Sequence, residues 1–334
     1  MEQKTLRDEL AAGVLGNLYL LYGEERFLVG HFAKTIEQAI KKSTHSDDEF
    51  YKDVFDGKEA ARNVIAAADT LPFVPGRRLV LVRDSGLFAA GRKDDSDFTA
   101  DYLDKIPSDT VLLFVESSVD KRLKIFKRVN EIGRVLECER QTPSDLIKWL
   151  TRELKQKNVK IRHDLANLIL SVCGTDMVTL YQETDKLAHY CGAGNEVTEA
   201  DIRTIMTPTL ESKIFALTKA MGQGQVKEAV KMYNTMLFLK ESPFGILAMI
   251  IRQLRIILLC KAGTEAGVPK AKIAKDLGLR DFAVNEGMEQ ARRFTTEKLM
   301  ELLTDCRDTD YNIKMGLMTQ EMGIELLLIK AATR

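Results

Sequence analysis

Apolar and polar positions change rhythm near residue 142. Before it, short and almost unbroken apolar runs alternate with stretches in which large apolar residues return every three or four positions. Runs of the first kind predict strands buried on both faces, and the second kind predict amphipathic helices. Candidate strands are 18–22, 48–55, 78–82, 110–116 and 134–137. Leu28, Phe32, Ile36 and Ile40 recur at i, i+4 within 27–42, and 60–69 supplies a second connecting helix. Strands and helices in this alternation predict a mostly parallel sheet with right-handed crossovers.

Beyond Thr142-Pro143 strand signals nearly vanish. Ser144 reads as an N-cap, and helices are expected after it, at 162–172, at 177–190 and at 198–206, with Gly174 and Gly192-Ala193-Gly194 as terminators. Longer helices follow at 212–221, 225–239, 243–261, 270–277, 283–293, 296–315 and 319–332. Pro243 sits where a first helical turn tolerates it. Residues 244–259 are apolar nearly all round, so that helix is expected to pack centrally. The fold class is multidomain α/β plus all-α: an α/β domain at 1–141, a small helical module at 142–209 and a helical bundle at 210–334.

A length of 334 residues fits several cores, and 49 basic against 49 acidic residues leave no net field to draw the chain to DNA or an anionic membrane. The five cysteines form no C-x-x-C pair and the four histidines are dispersed, which gives neither a zinc cluster nor a disulfide framework. The charged N-terminus has no signal-peptide core. The most apolar segment, 246–260, is interrupted by Arg252, Gln253 and Arg255. It falls short of the ~20 residues of a bilayer span. A cytoplasmic protein without a membrane segment is the expectation.

The first strand runs through Gly23 into a helix, as in a nucleotide-binding unit, yet the turn carries Glu24 and Glu25. A phosphate loop needs glycines, a Lys for the phosphates and a Ser or Thr for magnesium, all at a positive helix end. Two carboxylates there satisfy the dipole themselves and repel a triphosphate. Glu116, ending the fourth strand, stands where an ATPase uses carboxylates, but it has no phosphate loop to serve. No cofactor and no catalytic residue are expected, with an active ATPase kept as an alternative.

Two further segments carry open readings. Residues 71–78 join a helix to a strand: Leu71, Phe73 and Val74 either cap the sheet edge or, stiffened by Pro72 and Pro75, present an apolar epitope. Residues 272–290 have a helix-turn-helix look with Gly278 at the turn, which suggests a DNA-binding regulator. Glu286 and Glu289 lie where a base-reading helix needs Arg, Lys, Asn or Gln, so packing within the bundle is the better account.

Five strings, in order along the chain, resemble one family. They are L-Y-L-L-Y-G-E-E-R-F-L at 18–28, A-D-T-L-P-F-V-P-G-R-R-L-V-L-V at 68–82 and G-T-D-M-V-T-L-Y-Q-E-T-D-K-L-A-H-Y at 174–190. E-S-K-I-F-A-L-T-K-A at 211–220 and I-I-R-Q-L-R at 250–255 complete the set. Together they are similar to the delta subunits of bacterial DNA polymerase III, which are clamp-loader subunits of the AAA+ class. The resemblance implies a degenerate AAA+ domain, a helical lid and a helical collar. It also implies a subunit of the polymerase holoenzyme that has no ATPase of its own and opens the beta sliding clamp for loading on primed DNA. Implied partners are the clamp, the gamma/tau ATPase subunits, delta-prime and primer-template DNA. By the same resemblance Leu71, Phe73 and Val74 bind the clamp, Val74 being smaller than the aromatic often found there. Arg77, Arg78, Lys121, Lys124 and Arg128 are candidate DNA contacts, although Lys121, Lys124 and Arg128 equally describe one solvated helix face.

Overall fold

A computed structural model describes residues 3–44, 51–72, 75–279 and 281–333. The chain divides into two compact units, 1–142 and 143–334.

The first unit begins with helix α1 (Gln3–Ala11) and strand β1 (Leu18–Tyr22), whose five residues are all buried. Helix α2 (Arg26–Thr44), strand β2 (Lys52–Asp56), helix α3 (Ala61–Asp69) and strand β3 (Arg78–Arg83) follow. Helix α4 (Lys93–Tyr102), strand β4 (Thr110–Glu116), helix α5 (Lys124–Ile132) and strand β5 (Arg134–Glu137) complete the unit. Among the described residues the strands form one sheet in the order β2-β3-β4-β1-β5, every pair parallel. The register sets Leu18 beside Leu112, Tyr19 beside Arg134 and Arg78 beside Thr110.

This order places helices on both faces. The step from β1 to β2 runs one way across the sheet and all later steps run the other way, so right-handed crossovers put α2 on one face and α3, α4 and α5 on the other. Strand alternation then divides the core. Leu20, Tyr22, Val80, Val82, Leu112 and Phe114 pack with Val64, Ile125 and Val129, whereas α2 lies against β1, β3 and β4 on the opposite side.

Several expectations change here. Of the second candidate strand, 48–50 lie outside the described residues, and the strand observed is a half-exposed edge ending at Asp56. Helices α1 and α4 had no apolar signal strong enough to predict them. The buried face of α4 is Ser96, Thr99, Ala100 and Tyr102, small or hydroxylated side chains that hydrophobic periodicity overlooks.

In the second unit, α6 (Pro143–Gln156) starts one residue before Ser144, so Ser144 lies within its first turn and is not the N-cap. Proline fits N1 because the N–H it lacks would have no intrahelical acceptor. Helices α7 (His163–Cys173) and α8 (Met177–Cys191) pack on α6 and on each other, and α9 (Glu199–Ile205) packs on α8. Asp176 caps α8 by accepting from the Thr179 N–H at 2.8 Å, and Thr198 with Asp201 forms a capping box on α9.

The remaining helices are α10 (Leu210–Gly222), α11 (Val226–Phe238), α12 (Pro243–Glu265), α13 (Lys270–Leu277), α14 (Asp281–Ala291), α15 (Thr296–Lys314) and α16 (Gln320–Thr333). Their core gathers Leu217, Tyr233, Ile250, Leu254, Leu302 and Leu328. Helix α12 packs on α10, α13, α14, α15 and α16. By length and composition it is apolar enough to cross a membrane, but Ile246, Leu247, Ile250, Leu254 and Ile257 point into the bundle, as in a core helix. It is not enclosed all round as expected: Phe244 and Leu259 are exposed. The helix-turn-helix look of 272–290 resolves into packing, with Ile273, Ala274 and Val284 closing on Ile256 and Cys260 of α12. Gly278 ends α13 in the left-handed conformation.

Candidate functional site

The two rims of the sheet differ in chemistry. At the C-terminal rim, where sheets of this kind hold ligands, the loop after β1 is tied down instead of open. The Cys138 N–H donates to the Tyr22 carbonyl at 2.7 Å and the Glu25 N–H donates to the Cys138 carbonyl at 2.9 Å. Gly23 fits between them at φ +134°, with no room for a side chain. A backbone amide already bonded to Cys138 is not available to cradle a phosphate.

Charges around this rim are matched internally. Arg26, the first residue of α2, pairs with Asp84 at 3.3 Å, and the Ser117 hydroxyl donates to the same carboxylate at 2.5 Å. Asp84 holds a left-handed φ of +46° in order to sit there. Glu24 pairs with Arg140 at 3.0 Å, and Lys121 donates to Glu137 at 2.8 Å while lying over the Tyr22 ring. Glu116, the predicted carboxylate at the end of β4, is buried and accepts from the Ser85 N–H at 3.0 Å and hydroxyl at 2.5 Å. Burial raises its pKa, and the Ser85 bonds work against that rise. A cleft of about 440 Å³ lies between Tyr22, Glu24, Ser117, Lys121, Glu137 and Arg140. Each of its basic groups already faces a carboxylate, so it offers no excess positive charge to a triphosphate. The Arg26–Asp84 pair had no sequence signal, since its partners are separated by a strand, a helix and a second strand.

The end of α3 and the start of β3 lie at the N-terminal rim. Leu71 is 76 % exposed. Phe73 and Val74 lie outside the described residues. On the helix side the Thr70 N–H donates to the Ala67 carbonyl, the Thr70 hydroxyl to Ala66 and the Thr110 hydroxyl to Ala68. The carbonyls of Ala66, Ala67 and Ala68 in the last turn of α3 are thereby satisfied. The Tyr102 hydroxyl donates to Asp69 at 2.5 Å.

The five candidate DNA-contacting residues are not brought to one surface. Arg77 turns inward and donates to the Leu15 carbonyl at 2.9 Å, the Gly16 carbonyl at 3.4 Å and Asn17 Oδ1 at 3.3 Å. Arg78 is buried and paired with Asp53 of β2. Lys121 belongs to the opposite rim. Lys124 pairs with Asp101 at 2.5 Å, and Arg128 bridges Asp104 and Glu131. A shallow cleft of about 480 Å³ beside α5 holds Lys124, Lys127 and Arg128 together with Asp101, Asp104 and Glu131. Among the described residues no group of His, Cys, Asp and Glu is arranged to hold a metal ion.

A doubly wound sheet with carboxylates where a phosphate loop would stand, on a chain that continues as helices, defines the class: a multidomain α/β plus all-α protein. The model of the family "DNA polymerase III, delta subunit" matches residues 19–139, and that of its C-terminal domain matches residues 211–331. The chain belongs to this family, the delta subunits of DNA polymerase III. DNA polymerase III subunit delta of Bacillus subtilis (strain 168) is 26% identical over 333 residues, 97% of this chain and 95% of that protein. A probable DNA polymerase III subunit delta of Aquifex aeolicus (strain VF5) is 18% identical over 279 residues, 79% of this chain and 76% of the other. The solved structure titled Bacillus subtilis DNA clamp loader delta protein (YqeN) superposes with a TM-score of 0.72 at 25% identity, covering 99% of each chain.

Proposed function

We propose that this delta subunit binds the ring-shaped beta sliding clamp through Leu71, Phe73 and Val74 and holds it in an open state for placement on primed DNA. The observation that carries the reading is Leu71, a leucine 76 % exposed between a helix and a strand whose ends are both hydrogen-bonded. An apolar side chain so exposed at a stiff projection suits insertion into a partner's pocket. Burying an aromatic such as Phe73 there would contribute about 1.5–3 kcal/mol from area alone.

The subunit works without hydrolysing ATP itself. In support, the C-terminal rim carries Glu24, Glu25 and the Arg26–Asp84 pair where a motor would hold triphosphate and magnesium. Energy comes from the gamma/tau neighbours, which join this chain and delta-prime through a collar formed by residues 210–334, with residues 142–209 as the lid. Primer-template DNA passes within that assembly, in the cytoplasm. A sliding clamp is opened only to the extent that its partner prefers the open ring.

The test is clamp binding by the full chain carrying Leu71→Ala together with Phe73→Ala. A loss of roughly 30-fold or more is expected from two anchors of this size; full affinity would reject the contact.

A further inference from the structure

The described ends of the α3–β3 connection, at Asp69 and at Arg77, are each fastened to a different part of the first unit. On the helix side Tyr102 and Thr110 reach across from α4 and β4 to Asp69 and Ala68. On the strand side a single atom, Arg77 Nη1, serves three acceptors in the α1–β1 connection. That connection is itself braced. Asn17 Nδ2 donates to the Pro107 and Ser108 carbonyls at 3.1 and 3.3 Å, the Leu112 N–H donates to the Asn17 carbonyl at 2.8 Å, and Gly16 N–H donates to the Tyr19 hydroxyl at 2.7 Å. The Arg78 N–H donates to the Asp109 carbonyl at 2.7 Å, closing the same ring of contacts. Arg77 is half-buried and its charge is answered by carbonyl dipoles, a poor arrangement for reaching phosphates but a good one for a strut.

We propose that Arg77 is a positioning residue for clamp binding: it locks the strand-side root of the tip to Leu15, Gly16 and Asn17, while Tyr102 latches the helix-side root through Asp69. The inference rests on the clamp-binding reading above. Its physical content is preorganisation. A tip held at both roots loses little conformational freedom when it docks, and a tip released at one root must be ordered by the partner at the expense of affinity. Neither residue needs to touch the clamp.

The experiment measures clamp affinity of the full chain, with hydrogen exchange read in parallel, for Arg77→Ala, Arg77→Lys and Tyr102→Phe beside Leu71→Ala. Arg77→Ala is expected to weaken binding about tenfold and Tyr102→Phe about threefold, the scale of one or two side chains left unordered. Exchange should rise at 70–76 and stay unchanged in β3 and β4. Arg77→Lys should recover most of the affinity, because an ammonium can donate to the same carbonyls. The salt dependence of binding should match the wild type in Arg77→Ala, since the charge lies away from the interface.

Full affinity in Arg77→Ala, with Leu71→Ala impaired, would overturn the strut and leave the tip standing. Full affinity in both would remove the clamp-binding reading as well. A flattened salt dependence in Arg77→Ala would place Arg77 in the interface itself and also overturn the proposal. Should Arg77→Ala fail to fold, Tyr102→Phe decides: unchanged affinity and unchanged exchange at the tip would sink the preorganisation account.

Discussion

Gly23 and Cys138 meet backbone to backbone: a Cβ built on Gly23 would lie 2.3 Å from the Cys138 carbonyl oxygen. The strand that should open into a phosphate loop is in this way stitched to the segment after β5. With φ at +134°, Gly23 also occupies a region closed to other residues.

Gly23→Ala is therefore expected to destabilise the first unit by about 3 kcal/mol, from combined strain and overlap. Faster hydrogen exchange in β1 and β5 of the full chain would register it. Exchange equal to the wild type would mean that the loop moves off Cys138 without penalty.

Nucleotide should find no site. Titration of ATP with magnesium into the full chain is expected to give no saturable binding below about 1 mM. Neutralising the turn with Glu24→Gln and Glu25→Gln should not create one, because the Glu25 amide stays bonded to Cys138 and Arg26 stays paired with Asp84. Micromolar binding by the wild type would overturn the reading of a non-motor subunit.

The helical bundle of the second unit is expected to carry a pH dependence at Glu286. Burial first, then Glu211 and Glu289, push its pKa from an ordinary 4.5 up to about 7, with Lys219 opposing. A carboxyl with a raised pKa binds its proton more tightly when folded. Its cost is absent below about pH 4.5, grows as pH rises toward 7, and is complete above that. Glu286→Gln should thus stabilise the chain at pH 8 and do little at pH 5. Because the side chain is partly solvated, screening holds the gain to about 1 kcal/mol. A gain of equal size at both pH values would point to packing instead of ionisation.

Helices α12 and α14 approach closely at Gly287, where an added Cβ would stand 2.9 Å from Cys260 Sγ and 3.1 Å from Ile256 Cγ2. Gly287→Ala is expected to destabilise this contact by about 1–3 kcal/mol, even though alanine favours the helix. Protection of α14 amides in hydrogen exchange should fall while that of α7 and α8 holds. Unchanged protection would show that the two helices can spread at no cost.

Much of the fold is legible in residue order. L-Y-L-L-Y, L-V-L-V and V-L-L-F-V lie within β1, β3 and β4 because strands covered on both faces need apolar side chains at every position, and such runs are local. Helix ends in the second unit follow capping chemistry at Asp176, Thr198 and Ser242, which acts within four residues. Helix α4 escaped because its buried face is small and polar, and β2 was blurred because an edge strand buries too little to show a pattern.

The candidate site was legible only as residue types. Glu24 and Glu25 marked the turn after β1 as acidic, and Pro72 and Pro75 marked the segment after Leu71 as stiff, since charge and backbone stiffness belong to the residues themselves. Whether a basic residue faces outward depends on which acids the fold brings to it. Arg78 found Asp53, Lys124 found Asp101 and Arg128 found Asp104, across separate strands and helices. Local chemistry thus determined the elements and the carboxylates that stand in place of a phosphate loop. Strand order, the filling of the C-terminal rim and the inward turn of Arg77 were decided by tertiary contacts, because an ion pair or hydrogen bond between distant segments exists only once the sheet has set its ends side by side.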